Sequence, residues 1–351
     1  MASTWRLLDT GTRRAAENFA LNRAIIEARK RNIVSSTLRF LQFRPAALLG
    51  HHQNVEQELD VAFCRRHDVE IQRRVTGGGA IYMDESVLGW ELYLASPSSS
   101  RPTWRMCRVA SAGCGARRVG VRRAGDVPAA HRHRGGRAQD RRDGGAFDGN
   151  VLLYQGTLLL DFDMERMLRC LRLPASMLSP EAIADARARI VNLRELLGVV
   201  PPLEKIKQRM ATEFAAGLGV EFEPGELYPQ EVRLFREALK EIDSAEWVGM
   251  VRKPQSDLPI VEGMHRFGAG VLRASIAYDR PGARIGQVCF SGDFFVNPPR
   301  TVADLEAALK GCAVDNIAPA IARFFHGRQI EMPALRPADF AVAIDQALRS
   351  A

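Results

Sequence analysis

Residues 72–80 read Gln-Arg-Arg-Val-Thr-Gly-Gly-Gly-Ala, and Asp84 follows shortly after. The three consecutive glycines, Gly77 to Gly79, let the backbone adopt positive φ and approach a ligand closely, because they carry no Cβ atom. Successive backbone N–H groups in such a turn can bind an anion. Arg73 and Arg74 could neutralise a carboxylate or a phosphate through paired hydrogen bonds. By itself the segment is also consistent with a flexible turn, since it matches neither GxGxxG nor a Walker loop.

The sequence around this segment predicts alternating strands and helices up to about residue 240. A short strand at residues 69–71 leads into the glycines. Other strands are predicted at residues 37–43, 82–94 and 151–162, and helices at residues 16–30 and from residue 203. Beyond a domain boundary near residue 245, strand runs are predicted at residues 271–295, and helices at residues 301–310 and from residue 337. The pattern therefore indicates a larger unit followed by a smaller one.

The positive charge of the chain is confined to one stretch. The 351 residues contain 49 Lys and Arg against 41 Asp and Glu, a net charge of +8. Residues 101–143 hold twelve arginines and three aspartates, or +9, which leaves −1 for the rest of the chain. This stretch has no apolar period, and no lysine lies between Lys30 and Lys205. Arginine-rich segments can fold on RNA, but Trp104 is the only aromatic residue in the stretch, so nucleic acid is not expected as a partner.

Composition narrows the class of protein further. A hydrophobic fraction of 46% and a charged fraction of 26% exclude a wholly disordered chain. No apolar run reaches the roughly 18 residues that a membrane-spanning helix needs. The six cysteines show neither CxxC spacing nor a dense disulfide framework. We therefore expect a cytoplasmic protein without a membrane partner.

Several segments resemble the biotin/lipoate A/B protein ligase superfamily, and within it the lipoate–protein ligase A family. The most specific are RRVTGGGAIYMD and GTLL. The segments that carry the resemblance are residues 16–22, 73–84, 149–162, 191–197, 285–295 and 305–312. The resemblance implies an α+β fold: a catalytic domain over residues 1–245, with a mixed β-sheet and flanking helices as in class II synthetases, and a small α+β accessory domain over residues 246–351.

The resemblance implies an ATP-dependent lipoate–protein ligase. ATP and Mg²⁺ would activate lipoate or octanoate to an acyl-AMP. A lysine of an acceptor would then take the acyl group, the acceptor being a lipoyl domain of a 2-oxoacid dehydrogenase complex or the glycine cleavage H protein. Protein ligands for the metal are not identified.

The family pattern also implies roles for individual residues. Arg73, Arg74 and the amides of the glycine triplet would hold the carboxyl–phosphate end of the adenylate, Ala80 would lie beside the acyl tunnel, and Gly156 and Thr157 would line the nucleotide side. Thr76 and Asp84 are further candidates. A plain strand threonine explains Thr157 equally well, and a turn aspartate is the favoured interpretation of Asp84. The candidate binding residues are thus Arg73, Arg74, Thr76, Gly77, Gly78, Gly79, Ala80, Asp84, Gly156 and Thr157.

The chain departs from the family pattern where the catalytic lysine belongs. The family places this lysine in an Ile-Glu-Val-x-Gly-Arg-Lys-Ile motif between the two matching strands, whereas this chain has arginines, including Arg137, Arg141 and Arg142. No catalytic residue is therefore identified. Codons for residues 131–143, read one base out of frame, can spell Ile-Asp-Ile-Glu-Val-Gly-Gly-Arg-Lys-Ile-Gly-Gly. We hypothesise two compensating frameshifts, near residues 98–101 and near Gly144, and expect the chain as printed to be impaired.

Three alternatives remain open. An octanoyltransferase of the same superfamily would take its acyl group from acyl carrier protein without ATP. Some of these enzymes use a cysteine nucleophile, and Cys107 and Cys114 are the only cysteines near the suitable region. The accessory unit favours the ligase over this alternative. A biotin ligase is the second alternative, and it is disfavoured because RRVTGGGA resembles the lipoate branch more than the biotin branch. A non-catalytic degenerate ligase or RNA-binding protein is the third alternative.

Overall fold

The computed structural model describes residues 3–95, 144–173, 179–181, 183, 192–268 and 270–350. The arginine-rich stretch at residues 101–143, with Cys107, Cys114 and the expected place of the family lysine, lies outside these ranges. The chain forms two compact units. The first comprises Met1–Pro45, Met83–Arg166 and Leu173–Leu239, and the second comprises Ala46–Tyr82, Met167–Arg172 and Lys240–Ala351. Each unit combines distant parts of the chain, so neither is one continuous segment. The predicted domain boundary near residue 245 therefore stays a prediction.

The described residues form strands and helices along the whole chain. The strands are β1 Ser3–Arg13, β2 Thr37–Phe43, β3 Ala46–Leu49, β4 Glu70–Arg73, β5 Ile81–Met83, β6 Val87–Ala95, β7 Gly144–Asp148, β8 Val151–Leu159, β9 Val220–Pro224, β10 Ile260–Phe267, β11 Gly270–Asp279 and β12 Arg284–Asp293. The helices are α1 Ala15–Lys30, α2 Val55–Glu58, α3 Val61–Arg66, α4 Met164–Cys170, α5 Leu193–Leu197, α6 Leu203–Leu218, α7 Pro229–Ile242, α8 Ala245–Val248, α9 Thr301–Leu309, α10 Ile317–Phe325 and α11 Pro337–Arg349. In the described part of the chain, no helix is long and apolar enough to cross a membrane.

The first unit is built on a six-stranded mixed sheet with the order β7-β8-β6-β2-β1-β9. Strand β1 runs parallel to β2 and β9, and the other neighbours are antiparallel. Apolar residues of α6 pack with one set of sheet side chains, and apolar residues of α1 pack with another set. Each helix buries one apolar stripe, which stabilises it more than its intrinsic propensity does.

The centre of this sheet contains a buried ion pair. Arg39, on β2, is fully buried and donates to the Glu91 carboxylate on β6 at 3.0 Å. The Tyr93 hydroxyl and the Asn22 amide donate to the same carboxylate at 2.6 and 2.7 Å. These bonds replace the water that both charges lose on burial, so the pair is tolerated inside the unit.

The second unit contains two three-stranded sheets, with the orders β4-β3-β5 and β10-β11-β12. Helices α9, α10 and α11 share an apolar core with the second of these sheets. This core includes Phe290, Leu305, Ile321 and Phe340. The strand predicted at residues 82–94 is interrupted by a turn between β5 and β6. Several elements, among them β1, β10 and α10, were not predicted from the sequence; β1 and β10 mix polar and apolar residues without a clean two-residue period.

Candidate active site

The glycine-rich loop connects β4 to β5 in the second unit, and Arg74 holds it from within. Nη2 of Arg74 donates to the carbonyl oxygens of Gly77 and Gly79 at 3.2 and 2.8 Å, and Nη1 donates to that of Leu48 at 3.1 Å. Burial lowers the pKa of Arg74 to about 10, so the guanidinium stays charged at neutral pH. Its contacts fix the shape of the loop, and the anion-binding role predicted for Arg74 stays a prediction.

Glycine is required in this loop by conformation and by packing. Gly78 has φ of +98°, which residues with a Cβ atom rarely adopt. Gly50 lies against it so closely that a Cβ there would be 1.8 Å from the Gly78 carbonyl oxygen. The backbone of Gly50 therefore packs directly against the backbone of the loop, which leaves no room for a side chain at this contact.

Arg73 is completely buried and connects three separate segments of the second unit. Its guanidinium donates to five backbone carbonyl groups, at distances from 2.6 to 3.1 Å; these belong to Gly50, His51, Gln53, Trp247 and Val248. Burial lowers its pKa to about 10. The side chain is thus committed to the protein, and the role of anion binder that the sequence predicted for Arg73 stays a prediction.

The end of β12 covers part of the loop. The backbone N–H of Gly78 donates to the Phe294 carbonyl at 3.2 Å, and the Phe295 ring lies over Gly78. The carboxylate of Asp293 lies over Gly79. Burial raises the pKa of Asp293, while Arg74 and Arg273 oppose this shift. These three residues are more than two hundred positions away in sequence, and sequence analysis did not identify them as site residues.

The His52 side chain packs against Phe294, the residue that follows β12. Its ring stacks on Phe294 with 4.7 Å between centroids and 12° between planes, and its carbonyl accepts from the Gly292 N–H at 3.0 Å. Burial, with the nearby His51 and Arg73, lowers the pKa of His52 well below its ordinary value. The ring is therefore neutral and acts as an apolar support for the loop.

The remaining predicted residues fall in different places. Thr76 is buried, and its carbonyl accepts from the His51 N–H at 2.9 Å, while Ala80 is partly buried at the end of the loop. Gly156 and Thr157 belong to the first unit on β8, where a Cβ on Gly156 would lie 2.3 Å from the Trp90 ring. Asp84 accepts from the backbone N–H of Ser86 at 2.9 Å and from its hydroxyl, as a turn aspartate does.

Comparison with known proteins identifies the family. The profile of the lipoyl protein ligase A/B catalytic domain matches residues 14–215. The chain belongs to the lipoyl protein ligase A/B family. It is 33% identical over 261 residues to the octanoyltransferase LipM of Symbiobacterium thermophilum, covering 66% of this chain and 92% of that protein. It is 30% identical over 277 residues to the octanoyltransferase LipM of Kyrpidia tusciae, covering 70% and 98%.

Solved structures of the family share the fold. The bipartite lipoate protein ligase of Thermoplasma acidophilum aligns with a TM-score of 0.59 and 20% identity, over 72% of this chain and all of that chain. LipL1 of P. falciparum, in complex with lipoate, aligns with a TM-score of 0.68 and 14% identity, over 97% and 99%. The predicted α+β fold with a mixed sheet is confirmed, and the chain is an enzyme of the lipoate ligase and acyltransferase superfamily.

The prediction of an ATP-dependent lipoate–protein ligase is wrong. The curated relatives that align with this chain over most of their own length are octanoyltransferases. An octanoyltransferase was the first alternative. ATP and Mg²⁺, which followed from the ligase prediction, are therefore not supported. The RRVTGGGA and GTLL motifs could not separate the two activities, because they form the fold and the glycine loop that both share.

Proposed function

We propose that this family member is an octanoyltransferase. It moves an octanoyl group from the thioester of a carrier protein to a lysine of a lipoyl domain, and no ATP is consumed. The observation that supports this most is the 33% identity to a curated octanoyltransferase over 92% of its length. A lipoyl domain is the acceptor named with the bipartite ligase of Thermoplasma acidophilum, and we propose the same class of acceptor here.

The glycine loop is the proposed binding place for the acyl carbonyl group. The amides of Gly77 and Gly79 would receive the carbonyl oxygen, as backbone N–H groups stabilise developing negative charge in acyl transfer, while the Gly78 amide donates to the Phe294 carbonyl. Ala80 would lie beside the acyl chain. Arg74 would act by fixing the loop through its carbonyl contacts, and Arg73 by fixing the segments behind the loop.

A cysteine nucleophile would divide the transfer into two steps. Its thiolate attacks the octanoyl carbonyl carbon and the thiolate of the carrier leaves. The acceptor lysine amine then attacks the enzyme thioester, an amide forms, the enzyme thiolate leaves and the amine loses its proton to water. Of the described cysteines, Cys64 and Cys170 are fully buried, and burial raises the pKa of Cys289 to about 12. The fourth, Cys312, is partly exposed, and its thiol donates to the Ala313 carbonyl at 3.4 Å. In the printed chain we propose Cys107 or Cys114, outside the described residues, as the nucleophile, because both lie near the region expected for it; in a chain with the restored frame, the nucleophile would be a cysteine read from that same stretch.

The test compares two acyl donors. A gene in which the reading frame is restored between the codons of Ser98 and Gly144 is expressed, and the protein is incubated with an unmodified lipoyl domain. We expect octanoylation of the domain from octanoyl-carrier thioester without ATP, and none from free octanoate with ATP and Mg²⁺. Transfer that occurs only from free octanoate with ATP would overturn the proposal. The Cys107→Ser and Cys114→Ser variants are made in the printed chain. Mass spectrometry detects whether each variant still forms the octanoyl-enzyme thioester.

A further inference from the structure

The Asp293 carboxylate stands directly at the glycine loop. Asp293 is the last residue of β12, and a Cβ on Gly79 would lie only 2.8 Å from its Oδ2 atom. The side chain is partly exposed, whereas its neighbours Gly292 and Phe294 are buried. The second unit therefore places an accessible negative charge beside the backbone to which we assign the acyl carbonyl group.

This carboxylate has unused capacity to accept hydrogen bonds. Two arginines influence it electrostatically, but Arg74 is bonded to loop carbonyls, and Arg273 donates to Glu58 at 2.6 Å. Among the described residues, none donates a hydrogen bond to the side chain of Asp293. An ionised carboxylate can accept about four hydrogen bonds. The acceptor positions that Asp293 presents beside the glycine loop can therefore take a ligand that donates hydrogen bonds.

We propose that Asp293 binds the ammonium group of the acceptor lysine and holds it near the acyl carbonyl at the glycine loop, where loss of one proton to water leaves the amine that attacks. This inference rests on the proposed function. A lysine ammonium brings three donors and one positive charge, which match a carboxylate with open acceptor positions. Burial raises the pKa of Asp293, and Arg74 and Arg273 oppose this shift by favouring the ionised carboxylate that the interaction requires. Asp293 is thus a positioning residue contributed by the C-terminal part of the chain.

A double-mutant cycle between the two partners tests the inference on the full printed chain. Calorimetry measures its affinity for an unmodified lipoyl domain and for the same domain with its acceptor lysine changed to alanine. We expect the lysine change to weaken binding about fivefold for the natural chain. We expect Asp293→Asn to weaken binding to the same extent, with no further loss when the lysine is also absent. Asp293→Ala is a second charge-removing variant, and Asp293→Glu should keep part of the coupling.

Asp304→Asn is the matched control, since Asp304 is on the surface of α9 and pairs only with Arg300 at 3.2 Å among the described residues. It should bind both forms of the domain as the natural chain does. If the two losses multiply in the double variant, the inference is overturned while the proposed function stands. If the natural chain does not bind the lipoyl domain, both the proposed acceptor and this inference are overturned.

Discussion

Single residues in this protein owe their roles to their surroundings as much as to their type. Arg73 and Arg74 are adjacent and chemically identical, and both are buried, yet one joins three distant segments and the other shapes a loop. Both guanidinium groups donate to backbone carbonyl groups of the protein. The same dependence on surroundings applies to Glu306, whose carboxylate is held against a strand edge.

Glu306 should make the stability of the second unit depend on pH. Its carboxylate accepts from the Phe290 N–H at 2.6 Å, and burial raises its pKa from 4.5 to about 7 against that hydrogen bond. The folded state thus holds the proton more tightly than the unfolded state. Stability should fall as pH rises from 4.5 to 7 and stay constant above. Glu306→Gln should remove this slope and raise the free energy of unfolding at pH 8 by about 1–3 kcal/mol.

Chemical denaturation at pH 5 and pH 8 measures this effect. Asp304→Asn, on the exposed side of the same helix, is the control and should keep the slope of the natural chain. A Glu306→Gln variant with an unchanged slope would contradict the assignment of the titrating group to Glu306.

At the scale of elements, the glycine loop depends on contacts with parts of the chain far away in sequence. Arg73 ends β4, the segment at residues 50–53 follows β3, and α8 supplies Trp247 and Val248. The indole Nε1 of Trp247 donates back to the Arg73 carbonyl at 3.0 Å. The loop is therefore positioned by a strand, a turn and a helix together, and the position of each depends on the others.

Arg73→Lys should break this junction although it keeps the charge. An ammonium has three donors at one point and cannot reach the five carbonyl groups that the planar guanidinium reaches. Buried carbonyls would be left without partners, so we expect a loss of about 2–4 kcal/mol in the free energy of unfolding. Thermal melts measure this. Arg65→Lys, on the exposed surface of α3, should leave the melting temperature unchanged. Equal melting temperatures for both variants would refute the structural role of Arg73.

At the scale of the whole molecule, the net positive charge lies outside the residues that the structure describes. The net charge of +8 comes from residues 101–143, and the remaining sequence is close to neutral. The family membership rests on the profile match over residues 14–215 and on the identity to curated relatives. The basic stretch is thus better explained by the frameshift hypothesis than by a nucleic-acid partner.

The frameshift hypothesis gives a prediction for activity. The printed chain should transfer octanoyl groups at least about 10²–10³-fold more slowly than the chain with the restored frame, because it lacks the cation expected at the reacting carbonyl. Sequencing of the gene over residues 95–150, followed by a rate comparison of the two proteins, measures this. Equal rates, with residues 101–143 verified by mass spectrometry as printed, would refute it.

The sequence by itself determined the family, the mixed-sheet fold, the glycine loop and the positions of the longer apolar strands and helices. These follow from local patterns: apolar periods set the elements, and glycine at three successive positions sets a turn. Only the tertiary structure decided that Arg39 is a core residue paired with Glu91, that Arg73 holds three segments, and that Asp293 lies over Gly79. Such contacts join residues tens to hundreds of positions apart. Their energies depend on burial and on which partners meet, and neither is encoded in any local stretch of sequence.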